Sequence, residues 1–459
     1  MRETKKSSVS VAVPASGSGA TRREFLVRSV GVAAFGVTLP TLIPGSVLGL
    51  DGTTGANDRF VIGFVGCGGR ARQLMEHIPH ERGKIVAVCD FWRQKMLECV
   101  REKKESGLIA DERDWRMYDS DMEMFDHEKL DVAFVATQDH CRTLPAMRAV
   151  LAGLDVYAEK PLTAYIAEGR ALVECVRKHN CVFQVGSQQR SMRVNEYGCR
   201  IVRDGTLGKV RVVQGINYPG PRPIPDDLSA EAVPDGFNWD AWQGPTRARP
   251  FNGALLGWMQ WWDYSGGEMT NWGAHGLDQI QWALGASESG PVRLWPLETE
   301  EEAAAEPDRP RKIGIEYVDG TQVRFELASG PWGGAIFRCE RGNLEINRNN
   351  LKANPEELIA DAPEEDPPEG PTWIARPHIE NFFDCVVSRE RPHADVEIGH
   401  RSASLCHLVN ICRDLGRELH WNPVKEQFCT TGDAVGDIDT EANARVSRPR
   451  RSGYELPTG

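Results

Sequence analysis

A lysine stands where an apolar run ends: Leu154-Asp155-Val156-Tyr157-Ala158 leads directly into Glu159-Lys160-Pro161. The run reads as a buried parallel strand, and in an open α/β sheet ligands bind beyond the carboxyl ends of the strands. An ammonium held there can donate to a hydroxyl of a bound molecule, while the proline stiffens the turn or favours a cis peptide bond. Further along, Gly266-Gly267-Glu268-Met269-Thr270-Asn271-Trp272-Gly273-Ala274-His275-Gly276-Leu277-Asp278 sets Asn271 and His275 four residues apart, on one face of a helix near its amino end. An imidazole there can take a proton and an amide can hold a polar group, but a buried core histidine and a helix N-cap fit the same spacing.

These groups need a scaffold, and the upstream sequence supplies one. Residues 59–65 read as a buried strand that runs into Gly66-Cys67-Gly68-Gly69-Arg70-Ala71, a G-x-G-x-x-A loop ahead of a helix. Gly66 permits the tight turn, Gly68 lets backbone approach a pyrophosphate, and Ala71 lets the helix pack closely. Gly69 and Arg70 open the helix whose unpaired amides face the phosphates. A second strand over 84–89 ends in Asp90, 24 residues beyond Gly66, where a ribose-binding carboxylate belongs. Such a carboxylate repels a 2′-phosphate and favours NAD; Arg93 leaves NADP open. Asp90 fits equally the cap of the helix that follows. Further βα units at 131–137, 154–159 and 181–185 predict an α/β fold that begins with a Rossmann-type, doubly wound parallel sheet.

Together these motifs resemble the Gfo/Idh/MocA oxidoreductases over nearly everything after residue 58. Gly66, Gly68 and Ala71 match the family's nucleotide loop, Asp90 its ribose carboxylate, and Glu159-Lys160-Pro161 its signature tripeptide. Thr137-Gln138-Asp139-His140 resembles the loop after its fourth strand, with Gln138 in place of the usual proline and Arg142 in place of a customary second histidine. Gln184-Val185-Gly186-Ser187-Gln188-Gln189-Arg190 resembles the passage into the second domain. The resemblance implies a cofactor site of Gly66, Gly68, Gly69, Arg70, Ala71, Asp90, Thr137, Asp139, His140, Glu159 and Lys160, and catalytic roles for Lys160, His275 and Asn271. The family has an aspartate where this chain has Asn271. Asparagine can hold a substrate hydroxyl but can neither take a proton nor stabilise an imidazolium. His275 then acts with Lys160 alone, kept neutral by the helix start and the lysine, as general base.

The second domain is expected to be α+β, with a large, mostly antiparallel open sheet that carries substrate residues and, by resemblance, an oligomer interface. Strand-like runs lie at 210–218, 312–318, 322–327 and 335–340, with Asp319-Gly320 as a hairpin turn, and helices are expected at 378–387 and 402–415. The proline-rich stretch 219–234 reads as a surface rim over the cleft. Trp239, Trp242, Trp258, Trp261, Trp262, Tyr264 and Trp272 offer faces for pyranose rings and serve equally as core residues.

Residues 1–50 read as a leader: Arg22-Arg23 stands ahead of an apolar stretch broken by Pro40 and Pro44, the pattern of a Tat export signal, with an uncleaved tether as the alternative. Residues 58–186 then form the nucleotide-binding domain and 187–459 the substrate domain. The whole chain carries a net charge of −12, and the leader is basic, so the remainder is more acidic still and ill-suited to nucleic acid. The acidic stretch 298–306 reads as a solvated loop. Twelve cysteines in no metal-like or redox-like pairing predict mostly free thiols and no metal. The expected partners are the Tat machinery, a small carbohydrate or polyol, and further copies of the chain; the expected location is the periplasm. The resulting expectation is an NAD-dependent oxidoreductase acting on the carbinol carbon of a sugar or polyol. Two alternatives stay open: an NAD-dependent, redox-neutral glycosidase, and a sugar-binding protein without catalysis.

Overall fold

A computed structural model describes residues 59–364, 375–432 and 436–457; the leader over 1–50 lies outside them. The first sheet runs β3-β2-β1-β4-β5-β6, all parallel, from β1 (Phe60–Val65), β2 (Gly83–Cys89), β3 (Arg116–Tyr118), β4 (Val132–Val135), β5 (Asp155–Ala158) and β6 (Phe183–Val185). The connecting helices are α1 (Gly69–Glu76), α2 (Arg93–Glu105), α3 (Asp121–His127), α4 (Asp139–Leu151) and α5 (Ile166–His179). Strands β4 and β5 are buried at every position, as expected for a sheet covered on both faces. The strand order reverses between β1 and β4, which opens a crevice at their carboxyl ends. Register places Cys89, Val65, Val135 and Ala158 level across that edge, so Asp90, Gly66, Ala136 and Glu159 emerge side by side.

The second sheet has nine strands in the order β13-β12-β11-β7-β10-β9-β8-β14-β15. They are β7 (Val210–Ile216), β8 (Arg293–Pro296), β9 (Ile313–Glu316), β10 (Gln322–Leu327), β11 (Ala335–Cys339), β12 (Gly342–Asn347), β13 (Asn350–Asn354), β14 (Leu419–Asn422) and β15 (Gln427–Cys429). Only the central β7–β10 pair is parallel. Alternate residues of β11 are buried, so one face of the sheet packs on helices. The helices after the first sheet are α6 (Arg193–Arg203), α7 (Trp239–Gln243), α8 (Glu268–Ala283), α9 (Glu300–Ala305), α10 (Ala375–Ser388), α11 (Val396–Leu415) and α12 (Thr440–Asn443). The chain returns to the first sheet through α10, whose Ile379, Phe382 and Phe383 join Phe134 and Tyr157 in one core.

Two local expectations are corrected. The acidic stretch read as a loop contains helix α9, because Thr299 and Glu302 form a reciprocal capping box: Glu302 N donates to Thr299 Oγ1 at 3.2 Å and Thr299 N to the Glu302 carboxylate at 2.8 Å. Helix α11 begins at Val396, earlier than the residue 402 expected, because Asp395 caps it by accepting from Glu397 N at 3.1 Å.

Candidate active site

At the carboxyl edge of the first sheet, Gly66 has φ +100°, and a Cβ there would come within 2.7 Å of the Ala136 carbonyl. The turn therefore needs glycine. A Cβ at Gly68 or Gly69 would meet nothing within 4 Å, and the first turn of α1 has no side-chain cap, so an open cradle faces unpaired helix amides. That combination fits a phosphate group. Asp90 accepts from Cys67 N at 2.7 Å and from Trp92 N at 2.9 Å, one bond to each carboxylate oxygen. It thus braces the glycine loop and the start of the next helix at once, and each oxygen keeps a lone pair for a ribose hydroxyl.

The crevice widens into a cavity of about 460 Å³ between the two sheets. Gly68, Gly69 and Arg70 form one wall; Thr137, Asp139, Glu159 and Lys160 form the floor; Asn271, Trp272 and His275 descend from α8. Lys160 Nζ donates to Asn271 Oδ1 at 2.8 Å and to the Asn271 carbonyl at 3.3 Å. The Lys160-Pro161 bond is cis. Glu159 accepts from Arg70 Nε at 2.8 Å and from Gln188 Nε2 at 3.0 Å. Burial lowers the Lys160 pKa to about 8, against the opposing pull of Glu159 and Asp139. Burial also holds His275 well below the usual histidine range, with Lys160 and Arg348 adding to the effect. The neutral imidazole can accept a proton. The sequence reading named the lysine and the helix start as causes; burial is the larger one.

Most of the expected site residues converge on this cavity, with four exceptions. His140 is buried away from it, Nε2 on the Trp242 carbonyl at 2.8 Å and its ring against Tyr264. Asp90 lies beyond it at the β2 end, Ala71 is on the buried face of α1, and Gly66 is buried in the turn behind the lining. Asp139 reaches the cavity but is committed to Ser265 Oγ at 2.8 Å and Arg142 at 3.1 Å. Arg142, standing where a histidine was customary, ties the Thr137 and Pro161 carbonyls together and so braces the lysine turn. Of the aromatic group, Trp258 and Trp272 face the cavity, while Trp239, Trp242, Trp261 and Tyr264 are core.

Two further groups at the site were not among the residues expected from the sequence. Arg348 comes from the β12–β13 turn and lies over the Trp272 ring at 4.9 Å. Glu268 accepts from Asn271 Nδ2 at 3.0 Å, so it orients the amide and aims Oδ1 at the lysine. Glu268 could have been found as the i,i+3 neighbour of Asn271 on one helix face. Arg348 depends on a hairpin no local pattern announces.

A glycine-loop nucleotide crevice that opens onto a buried lysine and histidine, beneath a second, open sheet, defines a dinucleotide-dependent oxidoreductase. The chain belongs to the Gfo/Idh/MocA oxidoreductase family: residues 60–187 match its NAD-binding Rossmann fold and residues 209–456 its C-terminal alpha/beta domain. NAD is accordingly its cofactor. A curated relative, 2,7-anhydro-N-acetylneuraminate hydratase of Mediterraneibacter gnavus, is 25% identical over 150 residues, covering 32% of this chain and 36% of that protein. Among solved structures, aldose-aldose oxidoreductase from Caulobacter crescentus complexed with glycerol has a TM-score of 0.55 at 17% identity, covering 79% of this chain and 99% of that one. The WlbA dehydrogenase from Bordetella pertussis in complex with NADH and UDP-GlcNAcA has a TM-score of 0.54 at 17% identity, with coverage of 79% and 99%. At these identities the two structures share the fold.

Proposed function

We propose that the chain moves hydride between the carbinol carbon of a sugar, sugar derivative or polyol and a tightly bound nicotinamide. The observation that carries this reading is the Lys160–Asn271 hydrogen bond at 2.8 Å in the same cavity as His275 and the glycine loop. Bound NAD supplies the hydride acceptor. Lys160 donates to the substrate hydroxyl oxygen and stabilises charge that develops there; His275 takes the hydroxyl proton; Asn271, held by Glu268, positions both lysine and substrate. Trp258 and Trp272 offer apolar faces to the ring. The structural neighbours, an aldose-aldose oxidoreductase and a dehydrogenase in complex with NADH and UDP-GlcNAcA, agree with this reading.

Export through the Tat system, a periplasmic location and a homo-oligomer belong to the same proposal. A Tat substrate folds before it crosses, so it can leave the cytoplasm with its cofactor in place. A second reading, redox-neutral elimination, draws support from the hydratase relative and from the Glu268 carboxylate beside Asn271. It predicts release of a sugar substituent with no net NADH, whereas the dehydrogenase reading predicts a carbonyl product and an absorbance change at the nicotinamide. The first experiment is mass spectrometry of nucleotide released on denaturing the native protein. Stoichiometric NAD or NADH is expected; a protein that is empty and also fails to bind added NAD leaves only a sugar-binding role.

A further inference from the structure

Segment 236–244, which belongs to the second half of the chain, lies on the first sheet. Arg93 N donates to the Gly236 carbonyl at 2.9 Å and Asn238 N to the Phe91 carbonyl at 2.8 Å, so the segment is sewn to the end of β2. Phe237 stacks on Trp92 with ring centroids 4.6 Å apart. Five residues later, the Trp242 carbonyl meets His140 Nε2 at 2.8 Å and Cys141 Sγ at 3.0 Å, at the start of α4. Helix α4 follows β4, and β1 with its glycine loop lies between β2 and β4. The segment therefore spans two strand spacings, about 10 Å, across the sheet edge on which the glycine loop opens. In a crevice of this type the adenosine half of a dinucleotide runs from the glycine loop toward the end of β2, the interval the segment crosses.

The carboxyl-terminal tail fastens the far end. Arg451 donates to the Gly244 carbonyl at 3.0 and 2.8 Å and pairs with Asp240, while Arg448 donates to the His140 carbonyl at 3.0 Å. Phe237, Trp239 and Trp242 are buried, so lifting the segment exposes three large aromatic side chains together. The glycine loop puts no side chain in the way, since a Cβ at Gly68 or Gly69 would meet nothing within 4 Å. Beside Asp90, the Trp92 indole N–H is buried and has no hydrogen-bond partner among the described residues, as a donor awaiting an acceptor would be.

We infer that segment 236–244, pinned by Arg451, is a clamp that encloses the adenosine half of NAD and makes the cofactor a resident group. This rests on the reading of the first sheet as a dinucleotide site. The cofactor enters before the segment and tail dock, and hydride taken from one carbinol must be returned within the same protein to a carbonyl compound, such as an aldose, so that the cofactor ends each cycle oxidised.

The test follows exchange of isotope-labelled NAD into full-length, natively loaded protein, read by mass spectrometry of the denatured sample. Wild type is expected to retain its original nucleotide for hours. Arg451→Ala is expected to exchange at least tenfold faster with unchanged circular dichroism. Asn238→Pro, which removes the donor to Phe91, provides an independent opening, and hydrogen exchange at the Arg93 amide reports in each protein whether the segment has lifted. Exchange within seconds in the wild type, or a lifted segment with unaltered retention, overturns the clamp while leaving NAD binding intact. Failure to bind NAD at all overturns the dinucleotide reading itself.

Discussion

Lys160, Asn271 and Glu268 form a chain in which each group constrains the next: the carboxylate holds the amide and the amide holds the ammonium. Replacing His275 by alanine removes the proton acceptor and should lower turnover about 10²- to 10⁴-fold with the NAD dissociation constant unchanged, measured by steady-state rates and fluorescence titration. With the Lys160 pKa brought down to about 8, the ammonium is lost as pH rises through that value, so kcat should fall on the alkaline side. Asn271→Asp puts a negative charge beside the lysine and should move that limb up by about one pH unit. It also sets two carboxylates facing each other where a hydrogen bond stood. The double variant Asn271→Asp, Glu268→Gln restores a donor there and should recover the kcat lost in the single one. Unchanged pH–rate profiles across the three proteins would remove both roles.

Helix α8 carries the catalytic face, and its placement rests on a buried ion pair. Asp278 accepts from Arg190 at 2.8 to 3.0 Å and from Ser402 Oγ at 2.6 Å, which joins α8 to the residues after β6 and to α11. Asp278→Ala should cost about 3–5 kcal/mol in denaturant unfolding, because Arg190 is left charged in the interior. A second junction joins α5, α11 and the β14–β15 turn: Arg170 bridges Glu397 and Glu426 at 2.8 Å, and His400 meets Glu426 at 2.6 Å. Arginine holds Glu397 near 2 and Glu426 lower still, against burial that would raise both. Both carboxylates titrate lower folded than unfolded, so their contribution is present above the unfolded value of about 4.3 and disappears as pH falls through the folded values. Thermal midpoints should therefore drop steeply below about pH 4.5, and less so in Glu426→Gln. Five of the six strands of the first sheet were readable because βα units write apolar runs and glycine loops locally; the three-residue β3, Arg-Met-Tyr, has no buried position and was not. In the second sheet β8 and β12 to β15 were not read: β13 is Asn-Leu-Lys-Ala-Asn, and only its partner in the sheet makes it a strand. Arg348 went unread with them.

At the scale of the whole chain the two sheets form one molecule, with the active cavity between them and residues from distant segments closing it. The lysine turn, glycine loop and α8 were legible because each is a short motif; the clamp and tail contacts were not, since Arg93 to Gly236, Asn238 to Phe91 and the Arg451 guanidinium to the Gly244 carbonyl all join residues more than 140 positions apart in sequence. If the chain is exported folded, Arg22→Lys with Arg23→Lys should leave NAD-loaded protein in the cytoplasm, seen by cell fractionation and nucleotide mass spectrometry. Periplasmic recovery of that variant would dismiss the twin-arginine route. The twelve cysteines are all unpaired, and eleven are buried. They are also shared out: Cys67, Cys89 and Cys99 sit in the first sheet's core, and Cys199, Cys406 and Cys412 in the second's. A short pulse of alkylating reagent followed by peptide mapping therefore turns the thiols into a built-in clock of opening, since whichever set gains label first names the half of the protein that unfolds first.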